Sequence, residues 1–159
     1  MSGMGSHQSF HAKTETWLTP PNIINDLGPF DLDPCAYPGW LTAEHLICLP
    51  EDGLAADWDG RVWCNPPYGR QTWLWLDKLA THGRGTALIF ARTETKGFVE
   101  QVWNKASGLL FLHGRLFFYR TDGTPASANA GAPSVLVAYG REDAECLRCS
   151  LLEGTYVAL

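Results

Sequence analysis

The residues best suited to chemistry are Asn65, Pro66, Pro67 and Tyr68, which follow a short apolar run, Val62-Trp63-Cys64. Two consecutive prolines fix their own φ angles, remove two backbone donors and push Asn65 out of the helical region. An amide and a phenol are thereby displayed from stiff backbone where a strand ends, the place at which an open α/β sheet meets its ligands. A Pro-Pro turn with a solvated Tyr fits the same residues equally well.

A second candidate is Asp33, followed by Pro34, Cys35 and Ala36 after the apolar-polar alternation Phe30-Asp31-Leu32. A carboxylate at a strand end can bind a ribose hydroxyl or an ammonium group; Asp33-Pro34 could equally start a turn. Asp52, in Glu51-Asp52-Gly53-Leu54, is a possible further polar contact, although an acid in such a setting is more often a turn residue. Thr19 ahead of Pro20-Pro21 reads as a helix N-cap with proline at the first helical position, and such a terminus is also a carboxylate site.

The elements that must position these groups follow from periodicity. A helix is expected from Pro20 to Gly28, a strand over Phe30–Ala36, and a short run His45–Leu49 that fits strand or helix. Apolar residues Trp73, Leu76, Leu79 and Ala80 recur at helical spacing, Thr86–Ala91 is a buried strand, Phe98 to Ala106 a helix, and Gly108–Leu112 another strand. This alternation predicts a three-layer α/β sheet, mostly parallel. Arg115–Tyr119, a polar loop and Pro133–Gly140 predict a C-terminal antiparallel hairpin. Glu142–Leu152 fits a helix and Thr155–Leu159 a stray strand, while residues 1–13 read as a flexible arm, leaving residues 14–159 as a single domain.

Composition narrows the classes. The chain has 159 residues, 45% of them hydrophobic and 18% charged, with no apolar run of membrane-spanning length. Five cysteines, an odd number, point to reduced thiols and a cytoplasmic location rather than a disulfide framework. Cys146 and Cys149 form a CxxC with no second ligand pair, so no metal is expected. Net charge is −5, but residues 1–60 hold one Lys against nine acids, whereas residues 61–120 hold nine Lys or Arg against three. A basic segment beginning at Arg61 is compatible with phosphates approaching that side, and equally with ordinary solvated charge.

With these stretches in place, the chain resembles a small phage-type DNA N-6-adenine methyltransferase. The resemblance lies in Trp17–Pro20, Phe30–Ala36, Asp52–Leu54, Val62–Gly69, Ala91–Thr95, Gly114–Phe118 and Ala132–Gly140, in the expected order over nearly the whole chain. It implies a Rossmann-like methyltransferase fold, S-adenosylmethionine as cofactor, DNA as partner, and a cytoplasmic setting in a bacterial host for a phage or prophage product. Asn65 and the Pro66 carbonyl would accept hydrogen bonds from the target amino group, freeing a lone pair otherwise delocalised into the ring, and Tyr68 would stack on a flipped or single-stranded adenine. Thr19, Pro20, Asp33, Pro34, Cys35, Ala36 and Asp52 would line the cofactor site. Arg70, Arg92 and Arg115, just beyond strand ends or motifs, are the expected DNA contacts.

The sequence departs from the wider methyltransferase pattern at Ala36-Tyr37-Pro38-Gly39, where no Gly-x-Gly follows the acid. The short interval between Asp33 and Asn65 implies abbreviated second and third strands. Methylation of another planar amino group, in RNA, a protein glutamine or a small molecule, fits the same motif, as does a non-catalytic nucleic-acid-binding module. So little chain outside the core suggests a homodimer or accessory partner completing the DNA surface.

Overall fold

A computed structural model describes residues 16–159; the arm expected at residues 1–13 lies outside the described residues. The elements are α1 (Pro21–Leu27), β1 (Leu32–Ala36), β2 (His45–Cys48), β3 (Val62–Cys64), α2 (Thr72–His82), β4 (Gly85–Phe90), α3 (Lys96–Phe98, running on into a π-helical turn Val99–Trp103), β5 (Gly108–Leu112), β6 (Ser134–Tyr139), α4 (Arg141–Arg148) and β7 (Gly154–Ala158).

The strands form one seven-stranded mixed sheet in the order β2-β1-β3-β4-β6-β5-β7. Parallel pairs join β2 to β1, β1 to β3 and β3 to β4, while β6 runs antiparallel to both β4 and β5, and β7 antiparallel to β5. Strands β1 to β5 therefore all point one way, and their C-terminal ends share one edge. The period-2 alternation sorts side chains to the two faces. Cys64, Ala87, Ile89, Val135 and Val137 pack with Trp75, Leu76 and Leu79 of α2 and with Phe98 and Val102. Trp63, Leu88, Leu110 and Leu136 pack with Ile23 and Leu27 of α1 and with Ala144 and Leu147 of α4. These two clusters make the fold a three-layer α/β/α arrangement.

The expected C-terminal hairpin is not the one the chain forms. Arg115–Tyr119 is no strand of the sheet; only Tyr119 makes isolated bridges, to Leu18 and Pro125. Strand β6 inserts between β4 and β5, satisfying backbone groups on both edges, as a fully buried strand requires. The edge position is taken instead by β7 beside β5. In the interval between β1 and β3 a single four-residue strand, β2, pairs with β1 without an intervening helix.

Arg61 opens the basic segment, yet it is a core residue. Its Nε donates to Asp143 Oδ1 at 2.8 Å and its Nη1 to the carbonyls of Leu27 and Pro29 at 2.6 and 3.2 Å, with the guanidinium 4.2 Å from the Phe30 ring. Thr86 also donates to Asp143 Oδ1, at 2.8 Å. This buried network ties α1, β3, β4 and α4 together.

Among the described residues no helix is long and apolar enough to cross a membrane. Cys146 lies half-buried in α4 and Cys149 exposed at its end, and no three His, Cys, Asp or Glu side chains are gathered there at metal-ligand spacing.

Candidate active site

The C-terminal ends of β1 and β3 open on a cavity of about 1170 Å³. Its walls come from Thr16–Thr19, Asp33–Tyr37, Leu49–Leu54 and Asn65–Tyr68, closed by Trp75 of α2, Phe90 of β4, and Phe118 and Asn129 from the segment between β5 and β6. A space of this size exceeds the ~300–1,000 Å³ of a typical single-ligand pocket, so it can take two ligands side by side.

Asn65 sits where β3 stops. Its Nδ2 donates to the Trp17 carbonyl at 3.4 Å and to the Thr19 hydroxyl oxygen at 3.3 Å. A carbonyl can only accept, so this contact orients the amide: the NH2 faces the Trp17–Thr19 segment and Oδ1 faces away, accepting no hydrogen bond from the described residues. Thr19 is thus not the N-cap of α1. Pro20 occupies that position without a side-chain cap, and the Thr19 side chain turns instead to Asn65. The Thr19 carbonyl accepts from Trp40 Nε1 at 3.0 Å, which fixes the segment from the far side.

Tyr68 stacks on Phe90 with ring centroids 4.3 Å apart and planes 11° from parallel, and Phe118 meets it edge-on at 6.5 Å. One face of the phenol ring is therefore covered by protein, while the residue as a whole is 39% exposed. Thr72 donates to the Pro67 carbonyl at 2.6 Å, locking the Pro-Pro turn to the start of α2.

Asp33 lies within β1, not at its end: the strand continues to Ala36 through an irregularity between Asp33 and Ala36. The side chain is only 3% exposed. Its Oδ1 accepts from the Cys35 N–H at 2.9 Å and its Oδ2 from the Thr42 hydroxyl. Burial raises the carboxyl to about 6 despite these two hydrogen bonds. Cys35 beside it is pushed up to about 12 by burial and then by the Asp33 charge, and Cys64 is raised well above its ordinary value, chiefly by burial and then by its neighbours Cys35 and Asp33. Both shifts favour the neutral thiol over the nucleophilic thiolate.

Asp52 is exposed at the rim and accepts from the Leu54 N–H at 2.9 Å, the turn contact expected of it, while lining the cavity. The loop carrying it is pinned from behind. Lys78 Nζ donates to the Leu54 carbonyl at 2.6 Å and also to that of Ala56, and Trp58 Nε1 donates to the Gly53 carbonyl at 2.8 Å. A Cβ on Gly53 would lie 1.8 Å from the Pro34 carbonyl oxygen, so only glycine lets this loop close on β1.

The expected site residues thus gather around one space, with exceptions. Thr19, Asp33, Pro34, Cys35, Ala36, Asp52, Asn65, Pro66, Pro67 and Tyr68 all line the cavity, whereas Pro20 is buried under α1 and does not. Arg70, Arg92 and Arg115 are exposed on loops leaving the same sheet edge, outside the cavity, with Arg92 5.8 Å from the Phe90 ring. Trp17, Trp40, Phe90 and Phe118 were not among the expected residues. An aromatic one residue short of the end of the expected strand Thr86–Ala91 is the available signal for Phe90; for Trp40 there is none.

The geometry offers an uncharged acceptor at Asn65, an aromatic platform, and a buried carboxylate opposite apolar walls. It suits a reaction in which partners are oriented and no strong base or covalent nucleophile acts. No curated protein and no solved structure matches the chain. A family model, DNA N-6-adenine-methyltransferase (Dam), matches residues 6–152, and the chain belongs to that family.

Proposed function

We propose that the chain transfers a methyl group from S-adenosylmethionine to the exocyclic amino group of adenine in DNA, directly and in line, on a base that is flipped out or already single-stranded. Family membership supports adenine methylation of DNA. The observation that carries the chemistry is Asn65 Oδ1, which accepts no hydrogen bond from the described residues and stands beside the Tyr68–Phe90–Phe118 cluster. An adenine amino group has two hydrogens to place, and Asn65 Oδ1 and the Pro66 carbonyl are two acceptors for them. Holding both favours a pyramidal nitrogen with an available lone pair. Tyr68, braced by Phe90, offers its outer face for stacking, worth roughly 1–3 kcal/mol per base.

The cavity residues fit the cofactor. S-adenosylmethionine supplies, when bound, a methyl group on a cationic sulfonium and therefore a good electrophile. Asp33, a buried carboxylate, suits a cationic amino acid portion; Asp52, at the rim after β2, suits ribose hydroxyls; Ile47, Leu54 and Trp75 offer apolar walls for a ring. Thr19 reaches the same space while holding Asn65, which joins cofactor side and base side through one residue. Arg70, Arg92 and Arg115 are placed to meet phosphates.

Labelled-methyl transfer into separate DNA, RNA and protein acceptors tests the reading. Transfer to DNA, mapped to adenine, supports it. No transfer to DNA at any salt or strandedness, or transfer to RNA or protein alone, overturns it. Asn65→Ala should lose about 10²–10³-fold or more in transfer rate, the scale of one lost oriented hydrogen-bonding group, while cofactor affinity by calorimetry stays nearly unchanged. Equal loss of both would mean that Asn65 serves cofactor binding instead.

A further inference from the structure

Strands β5 and β6 are adjacent and antiparallel, with Phe111 opposite Val135, so a tight turn would suffice to join them. Instead the chain leaves at His113 and returns at Pro133, an excursion longer than the ~12–15 residues beyond which irregular loops are uncommon and usually functional. It is not a slack loop. Ala130 N–H donates to the Leu116 carbonyl and Ala126 N–H to that of Phe118, both at 2.7 Å, and Arg120 N–H to that of Thr124 at 2.8 Å. The result is an irregular finger held by these cross-links and an isolated bridge between Tyr119 and Pro125, with its tip at Thr121–Gly123. Leu18 and Tyr119 exchange backbone hydrogen bonds at 2.8 and 3.0 Å, and the Trp40 ring packs on Tyr119 at 5.4 Å, which anchors the finger to the segment that holds Asn65.

Its charge is as telling as its order. Elsewhere in residues 61–120, Arg61, Arg84, Lys96 and Lys105 each pair with a carboxylate and Lys78 caps two carbonyls, while Arg70 and Arg92, exposed on neighbouring loops, have no carboxylate partner among the described residues. Among the described residues Arg115 and Arg120 have no carboxylate within the 4.0 Å of an ion pair. Each is held by a neutral acceptor within the finger, Arg115 by the Gly131 carbonyl at 3.3 Å and Arg120 by the Ser127 hydroxyl at 2.9 Å. The finger's one acid, Asp122, accepts from the Thr124 N–H and hydroxyl at 2.9 and 2.6 Å. Both guanidiniums are thus oriented by neutral acceptors on the sheet edge where the cavity opens, with Asp122, two residues from Arg120, the one acid whose charge is felt there.

We infer that this finger, residues 113–133, is the DNA-gripping element of the chain, with Arg115 and Arg120 on backbone phosphates flanking the target base. The inference rests on the proposed function and names the surface that function requires. Arg120, near the tip and outside the cavity, is the cleaner probe because Arg115 also steadies Gly131 in the cavity wall.

The test is fluorescence anisotropy of an adenine-containing oligonucleotide between 50 and 200 mM salt, with calorimetry of S-adenosylmethionine, for wild type, Arg120→Ala, Arg115→Ala/Arg120→Ala and Ser127→Ala. Each arginine removed should lower the slope of log affinity against log salt by about 1. Cofactor affinity of Arg120→Ala should stay within about twofold, and Ser127→Ala, which keeps the charge, should preserve the slope. A wild type that binds and methylates DNA while both arginine variants keep its slope and affinity overturns the finger alone. A wild type that neither binds nor methylates DNA overturns the functional reading and, with it, the finger's partner.

Discussion

Replacing Asp33 by asparagine separates what the fold tolerates from what the site uses. In the unfolded chain this carboxyl titrates near 3.8; folded, burial holds it at about 6. Below about pH 4 it is protonated in both states and contributes no pH dependence. Between those two values the unfolded chain has released the proton while the folded chain keeps it, so stability falls as pH rises; above about 6 the loss is complete. At 1.36 kcal/mol per pH unit the penalty reaches about 3 kcal/mol near neutrality. Asparagine has no charge to desolvate. Its carbonyl can still accept from Cys35 N–H, and its NH2 can donate to Thr42 once that hydroxyl rotates.

Urea unfolding of wild type and Asp33→Asn from pH 4 to pH 8 should therefore give a difference that is small at pH 4 and opens through pH 6. By pH 8 it should reach about 3 kcal/mol in favour of the variant. Titrations elsewhere in the protein cancel in the difference. A gap independent of pH, or a variant less stable at pH 8, would refute the placement of a buried ionisable group here. If the charge is kept to meet a cationic cofactor, S-adenosylmethionine affinity of the wild type should rise as pH passes about 6. In the variant it should be weaker and flat.

Gly53→Ala should cost about 3 kcal/mol or more in thermal or chemical unfolding, the upper range for overpacking, because its Cβ would meet the Pro34 carbonyl oxygen at 1.8 Å, a backbone atom that cannot step aside. Gly39→Ala, at φ +80° with nothing within 4 Å, should cost only the ~1–2 kcal/mol of left-handed strain. Asp143→Ala should destabilise by about 3–5 kcal/mol through the buried Arg61 left unpaired, and Arg61→Met/Asp143→Leu should recover much of that loss in the same unfolding assay. Tyr68→Ala should weaken binding of a single-stranded adenine oligonucleotide by about tenfold or more, measured by anisotropy.

Much of the fold was readable because burial writes a period into the sequence. Helix α2, strand β4 and strand β5 lie close to where apolar spacing puts them, and Gly83, at φ +76°, ends α2 as its type suggests. The hairpin was misread for a physical reason. Leu116 to Tyr119 is as apolar as a strand, but Phe118 and Leu116 bury against the α1 and α4 layer from an irregular finger, and Phe117 remains 51% exposed. Local apolarity does not say which backbone will pair. Nor does it say that β6 enters between β4 and β5, since that depends on two unpaired edges made by residues far apart in the chain.

The site divides along the same line. Asn65 and Tyr68 were legible because two prolines constrain them locally, whereas their supports are long-range: Trp17 and Thr19 reach Asn65, Phe90 backs Tyr68, and Trp40 fastens Thr19 to the finger. Thr19 shows what this means in practice. Its position before two prolines made an N-cap the natural reading, yet those prolines leave the start of α1 with few free N–H donors for a hydroxyl to cap. The Asn65 amide is the donor that remains within reach. The feature that removed one role for Thr19 thus made the other available, and it turns a local helix start into the brace that holds Asn65 at the cavity wall.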